Sequence, residues 1–193
     1  MKSRIPLSRA LNIARRFLKE VELVSCKAVI AGSIRRMKAE VGDIEIVCIR
    51  DPDNPKAIEE KFDDYPGIVV NGRRLKRFFY PQSGIQIELY IAQEHDYGRI
   101  LAIRTGSSAF SHYVLATTWN RKGWCGTPDG LRRKAECEHK SKTWKLKREF
   151  ATNPTLPPAF NTEQEFFDFL EIKYVEPSKR SWISKHDDLN YAP

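Results

Sequence analysis

Two carboxylates separated by one residue enter an apolar run in the first quarter of this 193-residue chain. Asp43 and Glu45 open the segment, which continues to Ile49 and has the composition of a buried strand. Side chains two positions apart on a strand point to the same face, so the two acids project together. Carboxylates this close repel each other unless a positive charge lies between them. The pattern therefore predicts a strand with an acidic, cation-binding face.

A second segment carries a third acid. Between residues 84 and 91, isoleucine and leucine alternate with Gln86, Glu88 and Tyr90, which is typical of a strand with one buried face. If this strand pairs beside the first, Glu88 completes a three-carboxylate site. Such a site can hold two hard cations such as Mg²⁺, with Mn²⁺ as an alternative ion. The plainer interpretation is that these acids line the wet face of a sheet.

A small turn and two arginines precede the first acidic strand. Gly32 and Ser33 are followed by Arg35 and Arg36, and Gly42 directly precedes the first acid. Backbone turns and guanidinium groups both bind phosphate oxygens, so a phosphorylated substrate is expected beside the acids. For Arg35, a solvent-facing salt bridge is an equally good interpretation.

In combination these motifs resemble the nucleotidyltransferase motif of the family X DNA polymerases, the relatives of DNA polymerase beta. The resemblance rests on Gly-Ser-x-Arg-Arg at 32–36, Gly-Asp-Ile-Glu at 42–45, the strand around Glu88, and Thr-Gly-Ser at 105–107. It extends over roughly residues 28–180 and is greatest to the minimal viral members, which consist of a palm and a thumb.

The resemblance implies an α+β fold and an enzyme. A nucleotidyltransferase palm, a mixed β-sheet with helices on one face, would occupy residues 1–104, and a smaller α/β thumb would occupy 105–193. The implied activity is template-directed DNA polymerisation from dNTPs onto a primer 3′-hydroxyl in gap-filling repair, with two Mg²⁺ ions. The implied catalytic and metal-binding residues are Asp43, Glu45 and Glu88. The implied nucleotide-binding residues are Gly32, Ser33, Arg36, Gly42, Gly106 and Ser107.

Two departures from the family pattern affect these expectations. Glu45 and Glu88 stand where the family normally carries aspartate, and the longer side chain changes metal distances and the tolerance for Mg²⁺ against Mn²⁺. Ile103 and Arg104 stand where larger members place an aromatic pair near the sugar, which leaves the exclusion of ribose open.

The second half of the chain is strongly basic. The whole sequence has 33 lysines and arginines against 25 acids and a net charge of +8, which suits a polyanionic partner such as duplex DNA with a primer terminus or gap. A hairpin region is predicted at 131–150, and core packing is the favoured interpretation for its Trp144. The candidate DNA-binding residues are Arg132, Arg133, Lys140, Lys142 and Lys145. For any single lysine, a solvated surface position is the favoured alternative.

Periodicity and turn residues predict the remaining elements. Helices are expected at 7–24, 55–62, 97–104, 107–122 and from 161 onward, and strands at 28–31, 43–49, 68–70, 75–80 and 85–91. No apolar run approaches the length of a membrane span, and the N-terminus lacks the apolar core of a secretory signal. We therefore expect a cytoplasmic monomer that makes no membrane contact, with a viral or phage origin as one source.

Two rival functions stay open at this point. One is a template-independent or small-molecule nucleotidyltransferase that shares the palm, against which the basic second half and the Thr-Gly-Ser turn argue. The other is a non-catalytic nucleic-acid-binding relative, in which the exchange of aspartate for glutamate marks the loss of catalysis.

Overall fold

A five-stranded mixed sheet organises the first half of the chain. The computed structural model describes residues 4–141, 143–153 and 155–181, and within them the chain is α+β, as the sequence predicted. Its strands are β2 (Ser25–Ile30), β4 (Asp43–Arg50), β5 (Ile68–Asn71), β6 (Leu75–Phe79) and β7 (Gln86–Ala92). Their order in the sheet is β2, β4, β7, β6, β5, in which β4 and β7 are parallel and the other neighbours are antiparallel.

Helices pack against both faces of this sheet. The helices of the first half are α1 (Leu7–Glu22), α2 (Gly32–Arg35), α3 (Ala57–Phe62) and α4 (Tyr97–Thr105). α1 and α3 cover one face through a cluster of aromatic rings, in which Phe17 lies 5.4 Å from Phe62 and 5.5 Å from Phe78 between centroids. α4 packs on the other face, where Tyr97 and Leu101 join a second cluster.

The expectation of helices on one face is therefore wrong, and β7 is also more buried than the sequence indicated. Its even positions were predicted to be half-exposed, yet Gln86, Glu88 and Tyr90 are all buried. An alternating pattern predicts one covered face, but it contains no information about an element that arrives later to cover the other.

The second half of the described chain is built from short elements around its own core. A π-helix (Phe110–Ala116) leads into α5 (Thr117–Arg121), two hairpins follow, and α6 (Glu163–Leu170) closes the unit. The hairpins pair β8 (Trp124–Thr127) with β9 (Gly130–Arg133), and β10 (Cys137–Lys140) with β11 (Thr143–Leu146). The predicted hairpin region is confirmed, whereas the predicted helix from 107 to 122 is interrupted by the π-helix. The predicted second domain continues beyond residue 181 into residues outside the described chain.

A buried ionic cluster joins the two halves. Glu163 accepts hydrogen bonds from Arg35, at 2.7 Å, and from Arg180, which is itself fully buried. Burial would raise the pKa of Glu163, but the bonds from both arginines lower it below its ordinary value. The predicted domain boundary, between Arg104 and Thr105, falls within the last turn of α4.

Within the residues that the structure describes, no helix combines the length and the apolar composition that crossing a bilayer requires.

Candidate functional site

Parallel pairing brings the three predicted acids to one face of the sheet. β4 and β7 align so that Glu45 lies directly opposite Glu88 and Asp43 lies opposite Gln86. Directly paired residues on neighbouring strands project to the same side, and alternate residues on one strand share that side. The carboxylates of Asp43, Glu45 and Glu88 therefore lie on the same face of two adjacent strands.

Gly32 makes room for one of these acids. Its φ of +61° lies in the left-handed region, and a β carbon at this position would be 2.2 Å from Oε2 of Glu45. The neighbouring Ala31 donates its backbone N–H to the carbonyl of Glu45 at 2.8 Å. Glycine is thus required both by the turn and by the carboxylate that lies against it.

The electrostatics of Glu45 favour a bound cation. The pKa of Glu45 is raised to about 7. Burial is the largest cause of this rise, and the charges of Asp43 and Glu88 contribute to it. Arg104 and Arg36 act in the opposite direction but do not cancel these effects. A cation beside Glu45 and Asp43 would remove the repulsion and restore the ionised form of Glu45.

Glu88 is held by three donors. Arg77, its cross-strand partner on β6, approaches Oε1 with Nε at 2.9 Å and Nη2 at 2.8 Å. Gln86 donates its amide to the same oxygen at 2.6 Å, and the hydroxyl of Tyr90 donates to Oε2. An ionised carboxylate offers about four acceptor positions, so a position on Oε2 remains for a further partner.

The donor set fits a hard cation, but the three acids do not converge fully as they stand. Within the described residues, no three His, Cys, Asp or Glu side chains meet in an arrangement that could hold a metal ion. The hold of Arg77 and Gln86 on Glu88 accounts for this arrangement. Asp43 and Glu45 supply the oxygens that Mg²⁺ prefers, and the pKa of Glu45 is raised mainly by burial, with the charges of Asp43 and Glu88 as smaller causes.

A cavity of about 720 Å³ opens beside Asp43. Its wall includes Ser33, Arg36 and Gly42, so these predicted nucleotide-binding residues and the first acid come together. Oγ of Ser33 and Nε of Arg36 are buried without a hydrogen-bond partner in the described structure. Leaving buried polar atoms unpaired costs about 1–3 kcal/mol each, so the cavity is suited to a polar ligand.

Two further cations line this cavity that sequence reasoning missed. Arg4 and Lys38 face it because β1 (Ile5–Pro6) pairs with β3 (Glu40–Val41), the short strand just before Gly42. The pairing is reinforced by the N–H of Leu7, which donates to the carbonyl of Ala39 at 2.9 Å. No local pattern indicates this long-range pairing, so the sequence held no signal for Arg4.

The two arginines that follow the Gly-Ser turn have different roles. Arg36 donates Nη1 to the carbonyl of Thr105 at 2.5 Å, and burial lowers its pKa despite the acids nearby. Arg35 donates to the hydroxyl of Thr105 at 2.7 Å and pairs with Glu163. Arg35 thus makes a salt bridge, as one interpretation predicted, but the bridge joins the two halves of the chain instead of facing solvent.

The Thr105–Ser107 turn lies at the end of α4. A β carbon on Gly106 would be 2.7 Å from both Phe110 and Ser111, so the turn packs tightly against the next helix. Ser107 accepts the N–H of Phe110 on its hydroxyl at 3.1 Å and thus caps the start of this helix. Through Thr105, the hydrogen bond from Arg36 connects this turn to the cavity that Arg36 lines.

Arg104 provides another cation beside the acids. Its guanidinium lies 3.9 Å from the ring centroid of Tyr90 and donates to the Tyr90 hydroxyl at 3.2 Å. Its Nε is buried and has no hydrogen-bond partner within the described chain. Arg104 and Tyr90 thus extend the network that begins at Glu88.

The candidate DNA-binding residues do not form one uniform surface. Arg132 donates to the carbonyl of Thr155 at 2.5 Å, Arg133 stacks 4.1 Å from the ring of Trp124, and Lys140 pairs with Glu138 at 2.6 Å. Lys145 is exposed on β11. Lys142 lies outside the described residues.

No known protein-family model matches this chain, and no curated protein matches it at a significant level.

Proposed function

We propose that the chain is a template-directed DNA polymerase of the X family, which adds nucleotides from dNTPs to a primer 3′-hydroxyl. The observation that carries the proposal is the pairing of Glu45 with Glu88 across β4 and β7, with Asp43 on the same face. The adjoining cavity is lined by Arg4, Arg36 and Lys38 together with Glu40. An acidic face binds divalent cations, and an adjoining basic cavity binds phosphates. Nucleotidyl transfer needs both.

Asp43 and Glu45 would hold the divalent ions, with Oε2 of Glu88 as a further ligand. When bound, two Mg²⁺ ions would lower the pKa of the attacking hydroxyl and neutralise charge that develops on the transferred phosphate. Arg77 and Gln86 keep the flexible Glu88 side chain in one orientation through their hydrogen bonds. The extra torsion that glutamate has over aspartate is thereby restrained before any ligand binds.

The cavity residues would bind the triphosphate. Arg36 offers a guanidinium fork to phosphate oxygens, and its unpartnered Nε gains an acceptor in the complex. Ser33 contributes its hydroxyl in the same way. Arg4 and Lys38 add two positive charges at the cavity wall, where the β- and γ-phosphates of a nucleotide require them.

The first half of the chain would act as the palm and the second half as the thumb. The hydrogen bond from Arg36 to Thr105 links the phosphate cavity to the start of the second half, and Arg35 bonds to the same threonine. Gly106 and Ser107 would then pack against the incoming nucleotide. The basic second half would lie along duplex DNA, since phosphate neutralisation dominates such binding.

The test is primer extension on gapped and open templates, with each dNTP separately and with Mg²⁺ or Mn²⁺. Asp43→Asn should lower turnover by roughly 10³-fold or more, because it removes one charge from the cation site without changing side-chain size. Glu60→Gln, which removes an exposed acid from α3, is the matched control and should leave turnover unchanged. Insertion that ignores the template base would favour a template-independent enzyme, and full activity in Asp43→Asn would refute the proposed site.

One observation favours a second candidate, a non-catalytic nucleic-acid-binding relative. Glu88 is engaged by Arg77, Gln86 and Tyr90, and the three acids do not meet in a metal-binding arrangement within the described residues. Tight DNA binding together with no extension in either metal ion would support this candidate.

A further inference from the structure

The β10–β11 hairpin carries an aromatic pair that is open to solvent. His139 and Trp144 are direct cross-strand partners, and their ring centroids are 5.2 Å apart. His139 is exposed and Trp144 is only half-buried, so the core position favoured for Trp144 from the sequence is wrong. By contrast, Trp119 and Trp124 are buried in the core of the second half. The ring pair therefore presents an aromatic surface on the two-stranded hairpin.

Positive charge surrounds this ring pair. Nζ of Lys134 lies 5.6 Å from the Trp144 ring centroid, and Lys140 and Lys145 are exposed on the two strands. Between residues 131 and 148 the sequence has eight lysines and arginines against two glutamates. Glu138 and Lys140 pair at 2.6 Å and offset each other, which leaves seven of these basic residues against Glu136. The surface thus combines an aromatic face with a field that attracts polyanions.

We propose that this hairpin binds single-stranded DNA, with an unpaired base stacked on Trp144 and the phosphates near Lys134 and Lys145. Every unpaired base exposes a π-face that stacks on aromatic side chains, whereas the base faces within a duplex are already covered by their neighbours. A duplex could use only the lysines of this surface. The exposed aromatic pair of the hairpin therefore favours binding of single-stranded over duplex DNA.

Which DNA strand the hairpin binds rests on the proposed function. In a polymerase the occupant is the unpaired template strand. Binding to the hairpin needs neither nucleotide nor divalent cation, so it is measured without them. Asp43→Asn, which tests the proposed function, leaves the affinity for the single strand unchanged.

The experiment measures the affinity of the whole chain for a fluorescein-labelled oligothymidylate of about 16 nucleotides, by anisotropy at several salt concentrations. Trp144→Leu, which keeps an apolar side chain but has no π-face, weakens binding about 5- to 150-fold without changing the salt dependence. Trp144→Phe retains most of the affinity. Lys145→Gln lowers the slope of log affinity against log salt by about 0.7, whereas Lys56→Gln, an exposed lysine before α3, changes nothing.

A duplex of the same length separates the two modes of binding. The affinity for the duplex changes by less than about twofold in Trp144→Leu, because stacking does not contribute to it. Equal losses for duplex and single strand would overturn the proposal, as would unchanged oligothymidylate affinity in Trp144→Leu. A chain that shows Trp144-dependent binding but no primer extension would retain this inference and lose the proposed function.

Discussion

Gly32→Ala tests the close approach between the Gly-Ser turn and the acidic face. A residue other than glycine at a φ of +61° is strained by roughly 1–2 kcal/mol, since its β carbon crowds the backbone. In addition, the new β carbon would be 2.2 Å from Oε2, 3.0 Å from Cδ and 3.2 Å from Cβ of Glu45. The carboxylate must move by about 1 Å to regain an ordinary contact distance.

Gly84→Ala is the matched control. Gly84 has nearly the same φ, +64°, but no atom of the described residues lies within 4 Å of the point that its β carbon would occupy. The two substitutions therefore share the backbone strain, while only the one at Gly32 displaces Glu45. The shared strain should lower the free energy of unfolding by about 1 kcal/mol in each variant after the smaller entropy of the unfolded alanine chain is taken into account, and any larger loss in Gly32→Ala reports the displacement of Glu45.

The difference between the variants should appear at the site. Urea unfolding measures the shared loss of stability, and titration with Mn²⁺ followed by electron paramagnetic resonance measures the cation affinity directly. We expect weaker Mn²⁺ binding and about 10²-fold slower primer extension in Gly32→Ala alone, since displacing a reacting group by about 1 Å has this effect. Equal Mn²⁺ affinities in the two variants would show that Glu45 does not contribute to a cation site that Gly32 shapes.

Three further outcomes are expected. The free energy of unfolding of the cation-free protein should fall as the pH rises from 4.5 to about 7, because the raised pKa of Glu45 means that the folded state binds this proton more tightly than the unfolded state does. Urea unfolding at several pH values measures this slope, and Glu45→Gln should remove it. Met37→Gly should raise the free energy of unfolding by about 0.5–1 kcal/mol, since Met37 is 66% exposed at a φ of 58°, and a lower urea midpoint would contradict this. Arg180→Met should lower it by about 3 kcal/mol in the same assay, because Glu163 loses one of its two arginine partners, and a loss below about 1 kcal/mol would contradict that role.

Much of the acidic face could be predicted from the sequence because the information is local. The alternation from residue 84 to 91 identifies β7, and the apolar run after Asp43 identifies β4. Period-two patterns also fix which side chains share a face, so the three acids follow directly once the strands pair. The sequence does not establish that β4 and β7 pair, and the register that places Glu45 opposite Glu88 comes from the structure.

The cations of the site could not be predicted in the same way. Arg77 reaches Glu88 from a neighbouring strand, and Arg4 reaches the cavity through a two-residue strand pair. An arginine in such a position has the same local pattern as one that points to solvent. The sequence distinguishes Arg104 only as a departure from an aromatic pair, and it does not indicate that Arg104 stacks on Tyr90. These contacts depend on long-range packing, which a single sequence leaves unspecified.

The network around Glu88 restrains a carboxylate that would otherwise be mobile. A glutamate has one more rotatable bond than an aspartate, so an isolated side chain would sample several carboxylate positions and would lose more entropy on binding a cation. Hydrogen bonds from Arg77, Gln86 and Tyr90 fix the carboxylate in advance. Their presence also sets a limit, because a cation must compete with Arg77 for the negative charge of Glu88. The same contacts therefore orient the third acid and weaken its attraction for metal, and the balance between these two effects decides between the catalytic and the non-catalytic candidate.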